Sequence, residues 1–162
     1  MLPKLEDCQN IAKKSTIFKE RIEFIEDFEV HKFSYIVQTE DIIKYSAEEL
    51  RGITFVKYRD TYRTFPMLHK FYNVNQISST KMEVLKAKTI KKISTKMDGS
   101  LLGFYQLPNN KIYPMTKGSF KNEVIDQVNE YLSENENITK FVEEMFSKNL
   151  YPLFEWVSPK IE

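Results

Sequence analysis

The residues best suited to chemistry in this 162-residue chain stand together at Lys96-Met97-Asp98-Gly99-Ser100, a K-x-D-G-S run. A lysine that has lost its proton is a strong nitrogen nucleophile, able to attack an electrophilic phosphorus and hold the transferred group as a phosphoramidate. At its ordinary pKa of ~10.4 the amine is almost wholly protonated near neutrality, so burial or nearby cations must first lower it. Lys91, Lys92 and Lys117 are the candidate cations. Gly99 permits a close backbone approach or a positive φ, and Asp98 can orient the lysine or hydrogen-bond within the turn. A plain surface hairpin is the other reading, because Asp-Gly is a common turn dipeptide and a lysine beside it is usually solvated.

Several elements must hold such a turn in place. ISTKMDGSLLGFYQL reads as an apolar approach, a turn at Asp98-Gly99 and a second strand; a turn at PNN and another strand, KIYPMTKGSF, complete a meander. Lys81 to Lys92 mixes Met82, Val84, Leu85, Ala87 and Ile90 with lysines and fits a short helix or a strand edge equally well. Upstream, FSYIV and ITFVKY read as strands and TYRTFP as turn-rich. Downstream, Val124, Val128 and Leu132 recur at helical spacing, and Ile138 to Phe146 repeats the pattern, which predicts two amphipathic helices. LFEWV is a strand by residue type, with Glu155 on the face opposite Phe154 and Trp156 and Pro159 confining it to an edge or an end. The first thirty residues suggest a helix and then an extended segment, so the fold class is α+β with antiparallel strands.

Composition narrows the setting. Lys and Arg number 24 against 23 Asp and Glu, so no overall field advertises a polyanionic partner and any nucleic-acid contact must come from local clusters. Cys8 stands alone, and His31 and His69 are too far apart for zinc spacing. With four glycines and no G-x-x-x-x-G-K-[ST], a glycine-rich phosphate cradle is excluded and phosphates must be held by side chains. The polar N-terminus and the lack of a ~20-residue apolar run lead us to expect no membrane span and a cytoplasmic location.

K-x-D-G is similar to motif I of the covalent nucleotidyltransferases, and its Ser100 ending resembles the bacteriophage RNA ligase 1 family of ATP-dependent RNA ligases. Three more stretches are similar to that family and follow its order: ELRGITF, its Arg-Gly segment; MLHKFYNVNQ, its K-F-F-N segment; and FEWVSP, its motif III. The resemblance covers a motif-bearing region of about 50–159, while the N-terminal segment 1–45 adds little beyond an aromatic at Tyr35. It implies an antiparallel-sheet nucleotidyltransferase domain in which Lys96 attacks ATP and carries AMP. By position, Arg51, Lys70 and Lys117 would meet the phosphates, with Arg51 alternatively on the ribose. Tyr72 would stack on adenine where the family commonly has Phe, and Asp98 and Gly99 would shape the turn. Glu155 would bind a ribose hydroxyl or a hydrated Mg²⁺. The implied partners are RNA 5′-phosphate and 3′-hydroxyl ends, as in RNA or tRNA repair.

One departure stands out: the sequence contains no Glu-Gly motif IV or Lys-x-Lys motif V after Pro159. Those motifs supply a metal-proximal carboxylate and lysines that neutralise the α-phosphate. The expectation is therefore an N-terminal portion impaired in catalysis, completed by a C-terminal portion or a second chain. Two alternatives stay open. One is a DNA ligase or capping-type nucleotidyltransferase, which shares K-x-D-G. The other is a non-catalytic nucleic-acid-binding module using Lys86, Lys88, Lys91 and Lys92.

Overall fold

A computed structural model describes residues 2–36 and 39–157. Its first sheet grows from the strand Phe28–Tyr35 (β2), where alternation turns Val30 and Lys32 to one face and His31, Phe33 and Tyr35 to the other. Phe18–Ile25 (β1) pairs with β2 along its whole length through a two-residue turn at Glu26–Asp27. Both turn residues have positive φ, 48° and 67°, as a tight hairpin of this hand requires, although glycine or asparagine usually supplies it. The awkward conformation at Glu26 is offset because its carboxylate accepts hydrogen bonds from Lys111 Nζ at 2.7 Å, Tyr113 Oη at 2.6 Å and Asn109 Nδ2 at 2.8 Å.

Thr54–Tyr58 (β3) and Thr61–Phe65 (β4) complete a four-stranded antiparallel sheet in the order β1-β2-β3-β4. This corrects the turn-rich reading of TYRTFP. The turn is Arg59-Asp60, with Arg59 at φ 54°, and the β-favouring Thr61, Tyr62, Thr64 and Phe65 form a regular strand opposite β3.

Ser100–Gln106 (β5), Ile112–Thr116 (β6) and Phe154–Trp156 (β7) form a second antiparallel sheet in the order β6-β5-β7. Val30, Val56 and Phe65 of the first sheet share one apolar cluster with Phe104, Tyr105 and Met115 of the second. Tyr58 Oη also donates to the Gln106 carbonyl at 2.9 Å, and Arg63 Nη1 donates to Gln106 Oε1 at 2.8 Å. The opposite face of the first sheet carries a second cluster, where Phe33 and Phe55 meet Cys8 of the helix Leu5–Ala12 (α1) and Ile42 of the helix Thr39–Lys44 (α2).

A short helix, Met82–Lys86 (α3), resolves the ambiguity of the lysine-rich stretch. The helix Glu123–Glu134 (α4) starts where the Asn122 side chain accepts from the Ile125 amide at 2.9 Å, satisfying one of its free amides. It buries Ile125 and Val128, and the helix Glu136–Ser147 (α5) buries Val142 and Phe146. Both helices lie where the apolar spacing places them. The strand expected before Lys96 is absent: residues 88–98 form no helix or strand, and Ile90 and Ile93 are 74% and 84% exposed. No described strand pairs with this segment, so its β-branched residues have no ladder to join. The FSYIV strand stops at Tyr35, and Val37 and Pro159 lie outside the described residues.

Candidate active site

Strand pairing joins the two most distant pieces of the motif-bearing region. Ser100 lies opposite Trp156 and Leu101 opposite Glu155 in the β5–β7 ladder, which carries the end of K-x-D-G-S past the carboxylate of FEWVSP. The crossing is tight enough to require glycine. A Cβ at Gly99 would collide with the Trp156 carbonyl and stand 3.2 Å from Glu155 Cγ. Phe154 packs edge-on to Phe104 and Phe141, while Trp156 meets Tyr131 and donates its indole N–H to Gln127 at 3.2 Å. Those contacts hold β7, and the exposed Glu155 side chain faces the other way, into a cleft of about 740 Å³.

The facing wall comes from Thr116–Ser119 after β6 and from Arg51, which follows a 3-10 turn at Glu48–Leu50. Gly52, at φ 93°, brings these together: a Cβ there would be 2.9 Å from the Lys117 Cα and 2.9 Å from its carbonyl oxygen. Arg51 stacks over Phe71, with its guanidinium carbon 5.6 Å from the ring centroid. Its Nη1 is buried and meets no hydrogen-bond acceptor among the described residues, a donor in want of an anion or other acceptor. The buried Tyr35 hydroxyl is likewise unpartnered, and burial pushes its pKa up to about 12 against the opposing charge of Arg51.

Five of the residues singled out in the sequence line this one cleft: Arg51, Lys96, Gly99, Lys117 and Glu155. Lys70, Tyr72 and Asp98 do not. Lys70 donates to the Phe71 carbonyl at 3.0 Å and sits 5.0 Å over the Tyr72 ring. Its pKa is lowered by partial burial and by the charges of Arg51 and Lys117, which places three cations in one neighbourhood. Tyr72 donates its hydroxyl to Glu48 at 3.2 Å, and Asp98 is exposed. The aromatic on the cleft wall is Phe71, half exposed, one position before the residue selected by motif alignment. Since adjacent side chains in extended chain point to opposite sides, a one-residue ambiguity in the aromatic pair FY decides which ring faces the cleft.

The chemistry of this wall is that of an anion site with one carboxylate. Arg51, Lys96 and Lys117 offer positive charge to phosphate oxygens, and Phe71 offers a flat apolar surface. The volume falls within the usual range for small-molecule sites. No cluster of three or more metal-ligating side chains occurs among the described residues, so a divalent cation here would rely on Glu155, water and ligand phosphates.

A family profile described as RNA ligase matches residues 49–162, a span containing every cleft residue named above. A protein of Thermovibrio ammonificans, provisionally named an RNA ligase, is 28% identical over 151 residues, covering 85% of this chain and 39% of that protein. The chain thus spans well under half the length of the curated relative it matches.

Proposed function

The chain belongs to the RNA ligase family, and from that premise we propose that its cleft binds ATP and that Lys96 is the residue adenylylated on the way to RNA strand joining. The observation that carries this reading is the convergence of Lys96, Lys117, Arg51 and Glu155 on one cleft, although they come from four separate stretches of sequence. The neutral Lys96 amine attacks the α-phosphorus. A nitrogen–phosphorus bond forms, the bond to the pyrophosphate oxygen breaks, and the amine sheds its remaining extra proton to solvent. Arg51 and Lys117 hold the phosphates, and the buried, unpartnered Nη1 of Arg51 is a preformed donor for one phosphate oxygen or ribose hydroxyl. Phe71 offers a stacking face to the base. Glu155 accepts from a ribose hydroxyl or holds a hydrated Mg²⁺, whose charge would offset that gathering on the phosphates. An RNA 5′-phosphate would then take AMP from Lys96, and a 3′-hydroxyl would displace it to seal the strand. The domain would be of the antiparallel nucleotidyltransferase type.

Intact-mass spectrometry after incubation with ATP and Mg²⁺ tests the central step. The expected result is a low yield of the one-AMP adduct, in line with the impaired catalysis expected from the sequence, and its loss in Lys96→Ala; labelling that survives the substitution would sink the assignment. Parallel incubation with GTP, and nick-sealing with RNA and DNA ends, would expose a capping-type or DNA-joining activity.

A further inference from the structure

Lys32 lies on the face of β2 turned toward the second sheet, 1% exposed, and no described carboxylate pairs with it. An ammonium taken out of water without a counter-ion weakens a fold, so a purely structural reason for keeping it is hard to find. Its contacts offer another reason. Nζ donates to the Thr116 carbonyl at 2.8 Å and sits 4.5 Å over the Phe120 ring. Two further groups of the same sheet region reach the same turn: Arg21 Nη1 donates to the Gly118 carbonyl at 3.4 Å, and Gly52 presses against the Lys117 backbone. The turn is held on both sides of the residue that projects into the cleft.

We propose that Lys32 is a positioning residue, tying the first sheet to the Thr116–Ser119 turn and so fixing where Lys117 meets the phosphates. The inference rests on reading the cleft as a nucleotide site. It also carries a pH dependence. Burial, aided by the Arg21 charge and opposed by Glu23, pushes the Lys32 pKa down to about 7. The remaining groups facing it are neutral: Thr54 across the ladder in β3, the Thr116 carbonyl and the Phe120 ring. Below that pH the tether is a charge-assisted hydrogen bond with a cation over an aromatic face; above it, both interactions weaken.

Lys32→Met keeps the length and most of the volume while removing the charge. The expected outcome is a split. The thermal midpoint holds or rises because a buried charge is gone, while amide exchange of residues 115–120 speeds up and ATP affinity, measured by calorimetry, falls by about three- to tenfold. Lys117→Ala should weaken ATP binding less in the Lys32→Met background than alone, since a misplaced Lys117 has less to lose. The inference is overturned if the turn's exchange and the affinity are unchanged. It is equally overturned if the midpoint drops and exchange rises across both sheets, which marks a general core role. The unaltered chain supplies a test that needs no variant to fold: protection of the turn amides, corrected for intrinsic rates, should decline as pH rises through about 7, and pH-independent protection would refute the tether. A wild-type chain that binds no ATP sinks the nucleotide reading, while the exchange data still decide whether Lys32 positions the turn.

Discussion

Arg51 is legible in sequence as a permanently charged fork next to a glycine, but its surroundings are not. Only packing shows that one of its donors is buried without a partner and that Phe71 lies beneath it. That arrangement makes the side chain a donor waiting for an acceptor, so Arg51→Met should weaken ATP binding by roughly ten- to a hundredfold, the usual worth of a charge-assisted hydrogen bond. Calorimetric titration would check it, and an affinity within twofold of wild type would remove Arg51 from the site. The same titration separates the two neighbouring aromatics. Phe71→Ala should lower affinity several-fold, on the order of 1 kcal/mol for a lost stacking face. Tyr72→Ala, which removes a ring whose hydroxyl bonds Glu48 away from the cleft, should change it little. The reverse pattern would mean that the bound state turns Tyr72 inward. Lys32 had no legible signal at all, since a lysine in a strand is ordinarily an exposed residue and nothing in HKFSY marks one as buried.

Elements were read best where period and composition agreed. The helices α4 and α5 announced themselves through apolar residues at helical spacing, and β5 through a continuous run of strand formers. TYRTFP reads as turn-rich, whereas the turn is Arg59-Asp60, without glycine or asparagine, and Thr61–Phe65 is a strand. The stretch before Lys96 has the residue types of a strand but no described partner, and strand propensity counts for little without a ladder. At this scale the glycines allow a paired test. Gly99→Ala drives a methyl into the Trp156 carbonyl at the β5–β7 crossing and should lower stability by about 1–3 kcal/mol in urea denaturation. Gly118→Ala meets nothing within 4 Å and should stay within about 0.5 kcal/mol. Equal effects would show that the β5–β7 crossing is not the constraint described here.

For the whole molecule, three groups that join distant parts also set how stability follows pH. Glu26 is held down to about 2 by hydrogen bonds from Lys111, Tyr113 and Asn109, and Glu29 to about 2 by His31, Tyr62 and Lys57. The folded chain therefore holds fewer protons than the unfolded chain between about pH 2 and the ordinary carboxylate range of ~4.3, and stability should be lost as pH falls through that window. Lys32 acts over a different range. Between about 7 and the ordinary lysine value of ~10.4 the folded state again holds fewer protons, so its contribution raises stability as pH climbs. Urea midpoints across pH should show both limbs, and Lys32→Met should flatten the alkaline one alone. Among the described residues no helix is long and apolar enough to cross a membrane, in keeping with the apolar runs of the sequence.

The pairing of Leu101 with Glu155 makes the spacing of the site independent of the spacing of its sequence. Residues added at the Pro108–Asn110 tip or trimmed where α4 meets α5 would leave the distance from the lysine segment to the carboxylate untouched. A slip of one position in the ladder would not: it would swing Glu155 to the apolar side and bring a tryptophan or a phenylalanine to the cleft in its place. The arrangement of this site therefore depends on alignment between strands and not on the number of residues between them.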